Sequence, residues 1–351
     1  MSNFKTEVVP VRLEKHPAAD KLSIVKVFDG YGVCVRTEDW LGVDKGVYIP
    51  PDSVVPDTEQ FKFLDGHLRI KAKRLRGVES YGLLVPVPEG CRYDGVLGGG
   101  EFNGPRPFQV GDDLAEFMGI QHYEPELSQM VKEAQGAAGD PPLVQGIIYD
   151  IEPWQKFRNE FVDGEEVVIT EKIHGTNARF TFQNSINSED IIPTNRMFCG
   201  SHNFWRKEGD NLYWNILKHI PWVEAFCRLN PGVILYGEIF GAVQKGFNYG
   251  STQDNPYQFR AFDLYANGRF LDYDDALGGA QSDFLVPVLY RGPYSHEVVQ
   301  KYSSGMSVIE GANHIREGVV IKPVKERFSE RMRDRLILKF VSMDYLEGKK
   351  K

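Results

Sequence analysis

Short alternating runs of apolar and polar residues mark the N-terminal part of the chain. Residues 23–28, 31–36, 46–49, 68–72 and 81–85 each read as a strand. Asp29-Gly30 and Asp65-Gly66 supply hairpin-type turns, and Pro50-Pro51 stops any continuing strand. A small β-barrel is the economical way to bury so many short strands. From Gln121 to Pro142 the periodicity disappears, and a stretch rich in Gln, Gly, Ala and Pro reads as an exposed connection.

Beyond it, residues 166–171 and 178–182 read as neighbouring strands, and 233–240, 259–265, 319–322 and 336–341 as further ones. Asp210 is the expected cap of a helix running to about Leu229, with Leu212, Ile216, Ile220 and Val223 on its apolar face. Pro221 falls inside it, which predicts a kink or two helices. The expected fold is α+β, with an N-terminal barrel over 1–120, a linker over 121–145 and a second domain over 146–351.

Composition changes this picture little. A chain of 351 residues suits two domains, and 42% hydrophobic with 26% charged residues excludes a disordered or collagen-like chain. No run approaches the ~18 apolar residues of a membrane helix, and the opening MSNFKTEVVPVRLEK lacks the apolar core of a signal peptide. The expectation is an intracellular, cytoplasmic protein with no membrane partner. Cys34, Cys91, Cys199 and Cys227 lie far apart without a CxxC pair, so neither a zinc site nor a disulfide framework is indicated.

Lysines and arginines number 41 against 49 acidic residues, a net charge of −8 that argues against indiscriminate polyanion binding. Local basic runs remain, one containing Lys71, Lys73, Arg74 and Arg76, another spanning Lys322 to Lys339. Either run alone also fits a solvated face.

Candidate chemistry begins at Glu171-Lys172-Ile173-His174-Gly175-Thr176-Asn177. A lysine ending an apolar strand beside a glycine-containing turn projects its amine from a rim, a geometry that suits a nucleophile. Ordinary lysine, with a pKa of about 10.4, is almost wholly protonated near neutrality, so nearby cations and partial burial are expected to assist it. Leu235-Tyr236-Gly237-Glu238-Ile239-Phe240 sets a carboxylate inside an apolar strand, where an unpaired charge is costly. Arg316-Glu317-Gly318-Val319-Val320-Ile321-Lys322 repeats the device, and Arg335-Leu336-Ile337-Leu338-Lys339 delivers another lysine. Each alone fits an ion pair at a strand end. Together they describe an amine, two carboxylates for a sugar hydroxyl or Mg²⁺, and two cations for phosphate.

In order and spacing, EKIHGTN, LYGEIF, FRAFDLY, REGVVIKP and LILKF resemble motifs I, III, IIIa, IV and V of the covalent nucleotidyltransferases, and most closely those of ATP-dependent RNA ligases. The segment GAVQKGFNYG after the third motif resembles those ligases too. The resemblance implies an α+β nucleotidyltransferase (ATP-grasp-like ligase) domain using ATP with Mg²⁺, or Mn²⁺ in its place. Lys172 would be the nucleophile. Glu171, Ile173, His174, Gly175 and Asn177 would shape the ATP pocket, Glu238 would contact the ribose and Phe262 would stack on adenine. Glu317, with Glu238, would hold the metal, and Lys322 and Lys339 would bind phosphate.

Further forward, HPAADKL (16–22) and RGVESYG (76–82) resemble the tRNA-binding OB module of some aminoacyl-tRNA synthetases, which implies a five-stranded OB-type β-barrel. Few residues follow Lys339, so no barrel fits after the last motif. A barrel in front resembles an RNA ligase branch with an N-terminal OB domain, in which Lys71, Lys73, Arg74 and Arg76 would grip the phosphate backbone.

Two departures from the family pattern stand out. Val341 occupies a position where relatives often carry a second lysine, which makes Arg335 a candidate substitute. His202 stands where relatives can carry arginine, with Arg206 and Lys207 as candidate compensators for nucleic-acid contact. The function expected is an RNA ligase that acts as a monomer and joins 3′-hydroxyl and 5′-phosphate ends of RNA, including breaks in RNA/DNA duplexes. The rival readings are a DNA ligase or GTP-dependent capping enzyme, and a non-catalytic RNA-binding protein.

Overall fold

The alternation over 22–36 is realised as a hairpin in which Val25 and Val27 of β3 (Leu22–Val27) and Val33 and Val35 of β4 (Tyr31–Arg36) point inward, while Lys26 and Arg36 face water. The computed structural model describes residues 4–28, 30–88, 106–123, 136–185, 194–243, 246–277 and 282–349. Asp29, Cys91 and part of the expected linker, 124–135, lie outside them. Two units result, Met1–Pro125 with Trp154–Phe157, and Glu126–Pro153 with Arg158–Lys351. Among the described residues no helix is long and apolar enough to cross a membrane.

In the first unit, β2 (Leu13–Lys15) joins β3 and β4, while β1 (Glu7–Pro10), β5 (Lys45–Ile49) and β9 (Leu83–Pro86) form a second three-stranded sheet. Val8, Val47, Ile49, Phe61 and Leu114 form the centre of its core. The strand expected over 68–72 is reduced to a bridge between Arg69 and Val54, because the segment takes its backbone bonds from residues 52–55 for only a short length. A small hairpin follows it. Lys73–Leu75 (β7, after β6 at Ser53–Val54, which pairs with β10 at Gln121–His122) pairs with Val78–Ser80 (β8) across Arg76 and Gly77, both at positive φ, 49° and 84°, as a two-residue primed turn requires.

The second unit holds two larger sheets beside a two-stranded one of β21 (Phe328–Ser329) and β22 (Asp334–Arg335). One runs β11 (Glu152–Pro153), β23 (Leu338–Val341), β20 (Gly318–Pro323), β12 (Glu166–Lys172), β19 (Val288–Pro293). The other runs β15 (Trp205–Arg206), β14 (Thr194–Ser201), β13 (Thr176–Ser185), β16 (Ile234–Gly241), β17 (Tyr257–Ala266), β18 (Arg269–Phe270). β12 and β13 were expected to be neighbours and are not. Both edges of β12 are taken, by β19 and β20, so the chain changes sheet across residues 173–175. Val167, Val168 and Ile169 are wholly buried as a result.

Pro221 divides the expected long helix into Leu212–His219 and Pro221–Leu229, where it occupies the first turn of the second. The cap of the first is Asn211, whose side chain accepts from Trp214 N, while Asp210 instead accepts from the Asn215 side chain. Residues 136–148 are mostly exposed, yet hydrogen bonds tether their backbone. The Gln183 side chain bonds both N and O of Val144, at 2.9 and 3.0 Å, and Tyr236 Oη bonds N and O of Ile147, at 3.1 and 3.0 Å. Side chains of distant strands, invisible to local composition, hold this stretch against the sheet.

Candidate active site

The antiparallel register of β12 with β20 sets Lys172 opposite Gly318. Glu317 thereby reaches the amine, its Oε1 2.8 Å from Lys172 Nζ. Gly318 lets β23 pair closely on the other side of β20, since a Cβ there would lie 2.0 Å from the Phe340 carbonyl oxygen. The second carboxylate comes from the other sheet, where β13 places Asn177 opposite Glu238 of β16. A Cβ on Gly175 would meet the Ile239 carbonyl oxygen at 2.2 Å, so the turn after the lysine closes only on glycine. The Gly175 N–H donates to the Glu238 carboxylate.

Carboxylates dominate the electrostatics of the amine, although Lys339 lies close enough to feel its charge. Burial depresses the Lys172 pKa, but the attraction of Glu317 and Glu238 outweighs it and holds the amine above the ordinary lysine value. Burial also raises Glu317, which Lys172 and the nearby His174 together reverse, so this carboxyl lies below its ordinary range. Glu238 is pushed up to about 8, by burial first and by the charge of Glu317, with Lys172 only partly opposing. Lys339 on β23 lies below the ordinary lysine value, through burial first and then the charge of Lys172. Two carboxylates thus crowd one amine, leaving a deficit of positive charge.

A testable consequence concerns Glu238. Its folded pKa, about 8, exceeds the ordinary value of about 4.3, so folding takes up a proton and stability falls as pH rises through that interval. Glu238→Gln removes this titration. Urea unfolding of the variant should change less between pH 5 and about pH 8 than that of wild type, with the variant the more stable at the upper end.

His174 is fixed from three sides. Its backbone N–H donates to Tyr249 Oη at 2.8 Å, its Nδ1 lies 2.8 Å from Tyr345 Oη, and Phe247 meets its ring edge-on at 4.7 Å. The amine and Glu238 open on a pocket whose empty volume, mouth included, is about 670 Å³. Ile173, Asn177, Phe262 and Lys322 line it as well. Two buried oxygens here, Asn177 Oδ1 and Glu171 Oε1, have no protein partner. The other Glu171 oxygen accepts from Val308 N at 2.9 Å, and burial raises the pKa of this carboxyl.

Lys322 is not a free cation. Its Nζ donates to Asp263 Oδ1 at 2.5 Å and to the Phe262 carbonyl at 2.9 Å. Asp263 is 2% exposed and also accepts from Tyr149 Oη at 2.7 Å and Arg335 Nη1 at 2.8 Å. Burial would raise its pKa, but Arg335 and Lys322 hold it well below the usual carboxylate range. Sequence reasoning passed over Asp263 although it quoted FRAFDLY. The available signal was the one used for Glu238, a carboxylate within an apolar strand.

Comparison with known proteins now decides the family. Residues 165–341 match the RNA ligase family model. The chain belongs to the RNA ligase family. An OB-fold domain model matches residues 8–87, in agreement with an OB-like β region ahead of the ligase domain. The fold resembles that of Naegleria gruberi RNA ligase. A lysine-to-alanine variant of that protein with ATP and Mn is 21% identical, covers 99% of each chain and gives a TM-score of 0.71. An apo aspartate-to-alanine variant is 22% identical over 98% of this chain and 97% of that one, with a TM-score of 0.72. The same ligase with PPi is 22% identical over 99% of each chain, at a TM-score of 0.71. No curated protein matches the chain by sequence.

In this RNA ligase the residues singled out for nucleic-acid contact fall in separate places. Lys71, Lys73 and Arg76 are exposed on the first unit, and Arg74 is half-buried beside Glu79 at 3.3 Å. On the ligase unit, His202 Nε2 lies 2.9 Å from the Tyr149 carbonyl oxygen, and Arg206 donates to the Gly136 carbonyl at 3.0 Å and Ser201 Oγ at 3.1 Å. Lys207 is exposed. Arg335 is 8% exposed, with its guanidinium bonded to Asp263 and Glu326 and lying 3.9 Å over the Phe270 ring, so it belongs to the core beside the pocket rather than to the surface.

Proposed function

We propose that this protein is an ATP-dependent RNA ligase that seals 3′-hydroxyl and 5′-phosphate ends at breaks in duplexes, RNA/DNA duplexes included, acting as a cytoplasmic monomer. The observation that carries this reading is the Lys172 amine, set between carboxylates from two sheets beside a pocket with two unpartnered buried oxygens. Lys172 Nζ attacks the α-phosphorus of ATP, forming the N–P bond as pyrophosphate leaves. The 5′-phosphate of RNA then takes the AMP and returns the amine. Attack by the 3′-hydroxyl closes the phosphodiester and releases AMP.

The other residues take these roles in the same reading. Phe262 stacks on adenine, Glu238 contacts the ribose, and Glu171, Ile173, Gly175 and Asn177 border the nucleotide with His174. Lys322 and Lys339 face phosphate oxygens, Lys322 with its amine oriented by Asp263. For a divalent cation, the described residues contain no cluster of three His, Cys, Asp or Glu side chains. A carboxylate pair short of positive charge suits instead an ion that keeps its waters and takes remaining oxygens from phosphate, as Mg²⁺ or Mn²⁺ does. Glu317 and Glu238 would hold it, and when bound it supplies positive charge against the phosphates.

Residues 1–120 form the OB-type barrel, closed into five strands, 121–145 the linker and 146–351 the catalytic domain in this reading. The barrel grips phosphates through Lys71, Lys73, Arg74 and Arg76, and His202, Arg206 and Lys207 approach the ends to be joined. Replacing Lys71, Lys73 and Arg76 together by alanine should weaken binding to a nicked duplex and flatten its log–log salt dependence by roughly 2 to 3. A slope equal to that of wild type in fluorescence anisotropy would remove the barrel from the interface.

The function itself is tested by incubation with α-labelled ATP or GTP and Mg²⁺, followed by addition of nicked RNA duplex. Label on the protein from ATP alone and a sealed strand are expected. Label from GTP would favour a capping enzyme, and no label from a folded protein would leave an RNA-binding role.

A further inference from the structure

Tyr345 lies past residue 341, where the match to the ligase family model ends, on the helical turn Met343–Leu346. This turn is registered against the active site by its own backbone. Ser342 N donates to the Glu317 carbonyl at 2.9 Å, and Ser342 Oγ accepts from Tyr345 N at 3.2 Å. The phenol hydroxyl then reaches His174 Nδ1 at 2.8 Å, while Glu317 Oε2 stands 3.6 Å from the same nitrogen, within electrostatic reach but beyond the length of a direct hydrogen bond. Tyr345 packs on Phe247 at 5.5 Å between ring centroids, and Phe247 in turn meets the His174 ring. With the proton on Nδ1, the hydroxyl and the carboxylate are two acceptors competing for it, and the hydroxyl holds it.

We propose that Tyr345 is a positioning residue that keeps the His174 imidazole off Glu317, so that this carboxylate remains available to Lys172 and to a divalent cation. Without the hydroxyl, a small rotation of the ring closes the 3.6 Å gap and engages Glu317 Oε2. The carboxylate that orients the nucleophile would then be shared with a third group. The activity consequence rests on the ligase reading, whereas the contact itself does not.

The test uses full-length Tyr345→Phe, which keeps the ring and its packing and deletes one oxygen. Single-turnover formation of lysyl-AMP at saturating ATP should slow about fivefold, the effect of one hydrogen bond, with half-saturating ATP unchanged. In a His174→Ala background the same change should cost nothing further, since the residue through which it acts is gone. In the ligand-free protein, side-chain ¹⁵N–¹H NMR signals identified as His174 by their loss in the alanine variant should shift in Tyr345→Phe. Equal slowing in both backgrounds, no slowing by Tyr345→Phe where wild type takes label, or unmoved His174 signals would each overturn the proposal. A wild type that took no label would sink the ligase reading, and the NMR comparison would still decide the contact.

Discussion

Lys172→Ala protein is expected to retain no label after incubation with α-labelled ATP and Mg²⁺ followed by denaturation, while wild type carries one adenylate per chain. The loss should be at least about 10³-fold, because no other group can form the covalent bond. Lys322 cannot take its place, since its amine is 6% exposed and bonded to Asp263 and the Phe262 carbonyl. Nor is Lys339 set like Lys172, which has a carboxylate from each sheet drawn to its amine. Glu317 and Glu238 lose their cation in this variant, but the Lys172 side chain is 25% exposed, so the cost is smaller than for a fully buried pair; the variant should fold and still seal RNA already carrying a 5′-adenylate, although more slowly. Label persisting on Lys172→Ala at the wild-type level would end the assignment.

The largest expected loss of stability is at Asp263. Its carboxylate sits between Lys322 and Arg335 at 2.5 and 2.8 Å and is 2% exposed, so Asp263→Asn leaves two buried cations facing a neutral amide. Breaking a buried pair from one side costs about 3–5 kcal/mol, because the remaining charge is neither solvated nor matched. Tyr149 Oη would lose its charged acceptor as well. The pH dependence has a definite sign. The folded pKa of Asp263 is depressed below the unfolded value of about 3.9, so its stabilisation is complete above that value and is lost as pH falls toward the folded one. Urea midpoints should therefore differ most between wild type and variant at neutral pH and converge on acidification. A difference below about 1 kcal/mol at pH 7 would show that Lys322 and Arg335 find other partners.

Motif order was enough to select Lys172, Glu238, Glu317 and Phe262, and the structure brings the first three together around one amine. Such motifs are legible because each is a contiguous string whose residue types make sense only as a set. Asp263 was legible in principle, by the rule that a carboxylate inside an apolar strand needs a partner. By sequence Arg335 is a substitute for the lysine absent at 341, whereas its partners, Asp263 and Glu326, supplied by another strand and a loop, hold its guanidinium in the core. The strands 194–201 and 288–293 were missed. The second is largely exposed or half-buried along its length, without the inward alternation that marks a strand.

By itself, the sequence determined the run of strands, the break at Pro221, the glycines beside the lysine and the acids, and the identity of the chemistry. Tertiary structure alone decided that β12 and β13 belong to different sheets, that residues from 136 onward are bound to the ligase unit, and that Lys172 faces carboxylates rather than cations. The reason is range. Alternation, turns and caps are set by neighbours a few residues apart, whereas sheet partners and the charge around a buried amine are set by residues far along the chain, whose pairing leaves no local trace.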